Sequence, residues 1–272
     1  MKKHALLEGA TDRVRSRVGG WLGTKAIFRG HDLHRDLKDM DWFELNVFGI
    51  TNRRFSTNQL RVLQAIWTCT SYPDSRIWNN RVAALSGTTR STGALGMAAA
   101  VAVSEARIYG LGPGLSAYDF FVKALDRTAE GLSLEVVVKE HLAISRGIGG
   151  YGRPLTSEDE RIEPLMSLVR ELGLDQGKHL QLAFRVDDVL REGRWRLKIN
   201  YAALAAAISL DMGFSRQEFY LYVVHLFLAG MTPCYINASD EPEGTLLPLS
   251  CAHINYLGHE KRSWGDYKTG TK

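Results

Sequence analysis

The stretch STGALGMAAAVAVSEARIYG, residues 91–110, puts small or apolar side chains on almost every side of a helical wheel, and KINYAALAAAISLDMGF, 198–214, has the same character. A helix apolar all round is stable in water only when neighbours cover it on several sides. Two such segments predict helix-on-helix packing, with both near the centre of a mainly α fold. The 272 residues, 45% of them apolar, suffice for one large domain or a large and a small one.

Further helices show as period and punctuation. STNQLRVLQAIW opens on a Ser or Thr cap and sets Leu60, Leu63 and Trp67 on one face. In SEDERIEPLMSLVRELGL, Ser157 and Glu160 have the spacing of a capping box; Leu165, Leu168, Val169 and Leu172 form an apolar stripe, and Gly173 supplies the stop. Strand signals are thin: LQLAFRV (180–186) and RWRLKIN (194–200) read equally well as helix or connection. Glycine-rich joints at 110–114 and 147–152 allow a smaller module at 88–196 to leave and rejoin a body made of 1–87 and 197–272.

Charge and cysteine usage narrow the partners. Lys+Arg (34) nearly balance Asp+Glu (30), and no dense basic stripe with interleaved aromatics appears, so no nucleic-acid partner is expected. The densest basic stretch, with Lys2, Lys3, Arg13, Arg15 and Arg17, reads as a solvated leader, and the residues from about Trp264 onward as a polar tail. Cys69, Cys234 and Cys251 have neither disulfide nor metal-ligand spacing, which fits a reducing cytoplasm and no metal. FYLYVVHLFLAGM, 219–231, contains His225 and falls short of the roughly 20 residues of a membrane span, so it reads as a core helix. MKKHALLEGATDRVRS lacks the apolar centre of a signal peptide.

GIGGYGRPLTSEDER, 147–161, is the segment that points to chemistry. Backbone without Cβ lets a ligand approach closely, and amides near a helix N-terminus favour anions; a hinge would need the same glycines. Arg153 follows Gly-Tyr-Gly, and Pro154 restricts it to extended backbone. A guanidinium donates directed hydrogen bonds to a carbonyl, carboxylate or phosphate, but it cannot serve as a base near neutral pH.

With the helices placed, several segments together resemble the citrate synthase superfamily, which includes the citryl-CoA lyases. IFRGHDL (27–33) and WFELNVFGITNRRFSTNQLRVL (42–63) resemble its R-G-Y/H-D turn and following helix pair; RVAALSGTTRSTGALGMAAAVA resembles its R-V-A-S-T segment. GIGGYGRPLTSEDER resembles G-[FY]-G-H-x-V-x-x-x-D-P-R, KINYAALAAAI resembles N-V-D-F-Y-S-G, AGMTPCYINA resembles G-R-T-P-G-W-I-A-H, and INYLG resembles the closing Y-x-G. Their order is collinear from about residue 18 to 260. The resemblance implies a homodimer with a large helical domain, a smaller mobile one, and an acyl-CoA and a small carboxylate bound between them. It implies a Claisen-type condensation or its reverse: a carboxylate removes the proton alpha to the thioester, histidines polarise carbonyls, and arginines grip substrate carboxylates.

The matching positions depart sharply from that pattern. Arg153 stands at the loop histidine and Asn200 at the aspartate base; Ser75 stands where D-H-E-L-N has its histidine, after a retained Asp74. GLGPGLSAYDF keeps only Gly112 and Pro113 of G-P-L-H-G-G, Met231 replaces the arginine of G-R-T-P, and the terminal R-P-R region is CAHINY, with His253 its polar candidate. Asp159 and Arg161 match the D-P-R motif, where the arginine is a carboxylate ligand.

The resemblance therefore implies Gly149, Gly150, Tyr151 and Gly152 as main-chain contacts to coenzyme A, and Arg161 as an anion ligand, with Ser75, Arg81 and Ser86 on segments that approach the cleft. It leaves Arg153, Asn200, His253 and Asp74 for catalysis. Asn200 reads equally as a helix cap, and a lone histidine such as His253 as structural. Three functions stay open: a carbon–carbon synthase or lyase with altered catalytic residues, an inactive CoA-binding or regulatory homologue, and an acyl-CoA thioester hydrolase or acyltransferase.

Overall fold

The computed structural model describes residues 16–70, 72–153, 158–193, 195, 197–246, 251–253 and 255–264. It opens with three short antiparallel strands in the order β1 (Gly19–Leu22), β2 (Lys25–Phe28) and β3 (His31–Asp32), with Gly19 opposite Phe28 and Ile27 opposite Asp32. The helices follow: α1 (Trp42–Thr51), α2 (Thr57–Thr70), α3 (Trp78–Thr88), α4 (Gly93–Ser104), α5 (Leu111–Ala129) and α6 (Leu134–Ile144). The second half adds α7 (Ile162–Glu171), α8 (Lys178–Glu192), α9 (Tyr201–Asp211), α10 (Arg216–Leu226) and α11 (Leu228–Asp240). The expected mainly α class holds, and LQLAFRV lies inside α8.

Short polar side chains start several of these helices by satisfying amides that have no partner inside the helix. Asp41 accepts from the N–H of Phe43 and Glu44, Thr92 from Leu95, and Ser133 from Val136; Ser215 and Glu218 form a reciprocal capping box. Ser56 accepts from Gln59 N–H and its own N–H donates to the Gln59 side chain, which starts α2 as expected. Gly173, at φ +67°, ends α7 as expected. The expected Ser157 cap lies outside the described residues. The helix itself starts at Ile162, after a turn in which the Asp159 carboxylate accepts from the N–H of Arg161 and from that of Tyr201.

The small-residue reading holds for α9 and needs correction for α4. Every residue of α9 from Ala203 to Leu210 is buried, between α5 and α8. Alanines let the helices approach closely, and each fully buried Leu or Ile contributes roughly 1.5–3 kcal/mol. In α4 only Gly96, Ala100 and Ser104 are buried, against α3 and α11; Leu95, Ala98, Ala99, Ala102 and Val103 are exposed. Ala83, Ala100 and Met231 form the core of that three-helix cluster, apart from the main core.

Four buried tyrosines tie the main core together by donating their hydroxyls to backbone carbonyls, each at 2.8 Å: Tyr118 to Phe214, Tyr151 to Ala183, Tyr201 to Ile66 and Tyr222 to Leu63. FYLYVVHLFLAGM runs through α10, a single turn at Phe227 and the start of α11. Among the described residues the run Arg216–Asp240 is long and apolar enough to cross a membrane by length and composition. Its Phe219, Tyr222, Val223 and Leu226 are core residues, as its reading as a core helix requires.

Candidate active site

The loop glycines press their backbone onto two helix ends. A Cβ on Gly149 would stand 2.5 Å from the Cβ of Ser116 and 2.6 Å from the Pro113 carbonyl oxygen, in the first turns of α5. Gly150 has φ +83°, and a Cβ there would stand 2.5 Å from that of Ala203 in α9. No side chain fits either position without displacing a helix. Between these glycines and Arg153, the ring of Tyr151 is buried and anchored to α8.

A short clip then joins this loop to the entry of α9. Gly152 N–H donates to the Lys198 carbonyl at 2.6 Å, Asn200 N–H donates to the Gly150 carbonyl at 2.8 Å, and Tyr151 and Ile199 form an antiparallel bridge. From below, the buried Asp187 carboxylate accepts from Ile199 N–H at 2.6 Å. Asn200 closes the clip with both ends of its amide: Oδ1 accepts from Ala202 N–H at 3.0 Å, and Nδ2 donates to the Gly152 carbonyl at 2.8 Å. The amide is neutral and engaged at both ends, so its geometry is that of a helix cap and loop fastener.

Asp159 and Arg161 form the electrostatic centre. The Asp159 side chain is fully buried and accepts from Arg161 Nε at 2.8 Å, Arg161 Nη2 at 2.7 Å and Tyr201 N–H at 2.9 Å. Burial alone would raise the Asp159 pKa, but the Arg161 fork and the backbone donors overcome it and hold the carboxyl below its ordinary range. The same fork raises the Arg161 pKa against the effect of burial. Its guanidinium lies 4.6 Å over the Tyr201 ring, while its side chain stays 30% exposed. Arg161 is also the N-cap of α7, where the helix dipole disfavours a cation. Asp159 offsets that cost.

Arg153 turns back onto the acidic segment that follows it. Its Nη1 donates to the Glu158 carbonyl at 2.9 Å and to the Glu160 carboxylate, and lies 3.8 Å from Asp159 Oδ1. Lys198, on the facing side of the clip, pairs with the Glu158 carboxylate.

One hydrogen bond leads from the site to another segment. Tyr201 reaches the last turns of α2 through its bond to Ile66, and the chain leaving α2 passes Tyr72 to Asp74. Asp74 is bound by both Nε and Nη2 of Arg76, which lowers its pKa, and Ser75 follows it in the same turn. Trp78, at the start of α3, stacks obliquely on Tyr109 and lies 3.4 Å from where a Cβ on Gly110 would stand. Gly110 precedes α5, whose Pro113 touches the loop.

Three further candidates lie apart from the loop, as Asp74 and Ser75 do. Ser86 packs on Gly96 of α4 and donates its hydroxyl to the Val82 carbonyl. Arg81 is exposed in the first turn of α3, and His253 is exposed on a 3-10 turn at Cys251–His253. No contact among the described residues joins either to the loop. Met231 is fully buried in the α3, α4 and α11 cluster.

Tyr201, Asp187 and the Lys198–Glu158 pair are the contributors that the sequence reading passes over. The E-D-E-R run held a signal for one contact, since an acid two residues before an arginine at a helix entry has a fork within reach. Tyr201 and Asp187 act across long sequence distances and left none. Among the described residues no group of three or more His, Cys, Asp or Glu is placed to hold a metal ion. Surface hollows of about 450 and 520 Å³ lie elsewhere, the first around Tyr118, Lys123 and Arg216, the second around Phe28, Trp42 and Ile50.

No family model matches the sequence, and a search of curated proteins finds no match. The solved structures do give matches. The chain superposes on citryl-CoA lyase from Hydrogenobacter thermophilus with a TM-score of 0.81 at 19% identity, covering 92% of this chain and 96% of that one. ATP citrate lyase from Methanothrix soehngenii, in complex with citrate and coenzyme A, matches at 0.74 and 16% identity over 99% of this chain, which spans 46% of the lyase chain. Citrate synthase from Thermotoga maritima MSB8 matches at 0.64 and 15% identity, over 85% of this chain and 62% of that one. Coverage of the first of these is nearly end to end: the chain has the citrate synthase-like fold.

Proposed function

We propose that this protein acts on an acyl-CoA thioester and a small carboxylate, forming or cleaving a carbon–carbon bond. The observation that carries this reading is the whole-chain likeness to a citryl-CoA lyase, at a TM-score of 0.81 and with 96% of that chain covered. The ATP citrate lyase neighbour was solved with citrate and coenzyme A bound. In this reading the loop backbone from Gly149 to Gly152 lies along the coenzyme, and the exposed part of Arg161 grips a carboxylate. Arg153 donates to a carbonyl or a second carboxylate. Asn200 fastens the loop and orients an enolate oxygen or a water, and a proton-accepting group, Asp74 or His253, serves as base. Movement of a module at about 88–196 on its glycine joints belongs to the same proposal, as does a cytoplasmic location.

The homodimer rests on α4. Its exposed face, Leu95, Ala98, Ala99, Ala102 and Val103, carries no polar side chain, and a water-facing helix without one is an interface in waiting. A second copy is the occupant that the resemblance implies.

One observation favours a rival reading, a CoA-binding or regulatory protein without carbon chemistry. Asn200 stands where the family has its carboxylate base and an amide cannot remove a proton, and Asp74 is forked by Arg76. Proton NMR of acetyl-CoA in deuterium oxide separates the two. Exchange of the methyl protons, with and without 2-oxo acids, supports bond-forming or bond-cleaving chemistry; coenzyme A binding without exchange supports the rival. Thiol release without a new carbon–carbon bond supports the hydrolase alternative.

A further inference from the structure

Both loop-side cations of the site are already answered by one short acidic segment, Glu158–Asp159–Glu160, but its three carboxylates differ in kind. Asp159 is fully buried and held by Arg161 and Tyr201 N–H, so it stays in place whatever binds. The side chains of Glu160 and Glu158 are 67% and 76% exposed, and each has a cationic partner, Arg153 on the same loop for Glu160 and Lys198 across the clip for Glu158. Arg153 itself is only 28% exposed. In this state its Nη1 hydrogen bonds go to the Glu158 carbonyl and the Glu160 carboxylate.

We propose that Glu160 is a built-in competitor for the anion site: its carboxylate occupies Arg153 until a ligand carboxylate or phosphate displaces it. The proposal rests on the functional reading above for the kind of ligand, and on the Arg153 geometry for the device. An exposed ion pair has small net strength, which suits a contact that must break on binding. Swapping one anion for another on the same guanidinium keeps its donors satisfied throughout. Lys198 and Glu158 hold the other side of the clip, and Arg153 keeps its bond to the Glu158 carbonyl, so release of Glu160 opens one donor position on Arg153.

Calorimetric titration of citrate, and separately of coenzyme A, into wild type, E160Q and R153Q tests this at low salt. E140Q, on α6, serves as a control with the same change of net charge, and circular dichroism melting confirms that each variant is folded. E160Q is expected to bind at least one of the two anions about twofold to fivefold tighter, the upper part of the range an exposed ion pair spans. E140Q should bind as wild type does, and R153Q should bind more weakly. Binding by wild type that is unchanged or weakened in E160Q overturns the competitor and leaves the functional reading intact. Binding by E160Q alone supports the competitor at its strongest, and binding by neither overturns both.

Discussion

Replacing Asp159 with Asn keeps the volume of the side chain and removes its charge, at the residue that joins Arg161 to the entry of α9. The native carboxylate is fully buried and accepts from two Arg161 nitrogens and from Tyr201 N–H. An amide in its place keeps one acceptor oxygen and points an NH₂ at donors. Breaking a buried ion pair by removing one partner costs about 3–5 kcal/mol, but Arg161 is 30% exposed and regains water, which reduces its share. The one remaining oxygen cannot serve both Arg161 nitrogens and the buried N–H of Tyr201, and the donor left short adds roughly 1 kcal/mol or more. D159N should therefore lose about 2–4 kcal/mol in urea unfolding at pH 7, with an unchanged m-value. The double variant D159N/R161Q should recover part of that loss, because the orphaned cation is gone as well. A loss below about 0.5 kcal/mol, or no recovery in the double variant, would refute the account of Asp159 as the joint of this site.

Three further outcomes follow from the same geometry. The Asp159 carboxyl is held below its ordinary range, so its contribution is fully present above the unfolded value of about 3.9 and fades as pH falls through the lower folded value. The stability gap between wild type and D159N should be constant from about pH 5 to 8 and shrink below about pH 4; a gap that widens in acid contradicts the assignment. G150A places a Cβ 2.5 Å from Ala203 at φ +83°, and should cost about 2 kcal/mol or more in urea unfolding and weaken coenzyme A binding; a neutral effect would show that the loop relaxes freely. A99E introduces a charge on the apolar α4 face, and sedimentation should show a dimer in the wild type and a monomer in the variant; a monomeric wild type removes the dimer from the proposal.

How far the fold was legible from sequence varies element by element. α9 was legible because KINYAALAAAI leaves no polar face for water, and it is buried from Ala203 to Leu210. The same logic misjudged α4, whose apolar wheel is only partly covered within the chain. Composition records that a face needs cover, not which molecule supplies it. The strands at Gly19–Asp32 escaped because two to four residues are too few to show an alternating period. At the site, the glycines, Arg153, Asn200 and Arg161 were picked out by their matching positions. The contacts that give them character, Tyr201 under Arg161 and Asp187 beneath Ile199, join residues far apart in sequence, and only packing reveals them. Asn200 carried two readings, and the structure displays its cap.

The most direct test of the proposed chemistry is the exchange of acetyl-CoA methyl protons for deuterium, followed by NMR with wild type, R153Q and R161Q. The account predicts exchange above the buffer rate in wild type, stimulated by a 2-oxo acid and lost or strongly reduced in both arginine variants. Saturable coenzyme A binding with no exchange under any acceptor would contradict it, and would leave the citrate synthase-like fold here without carbon–carbon chemistry.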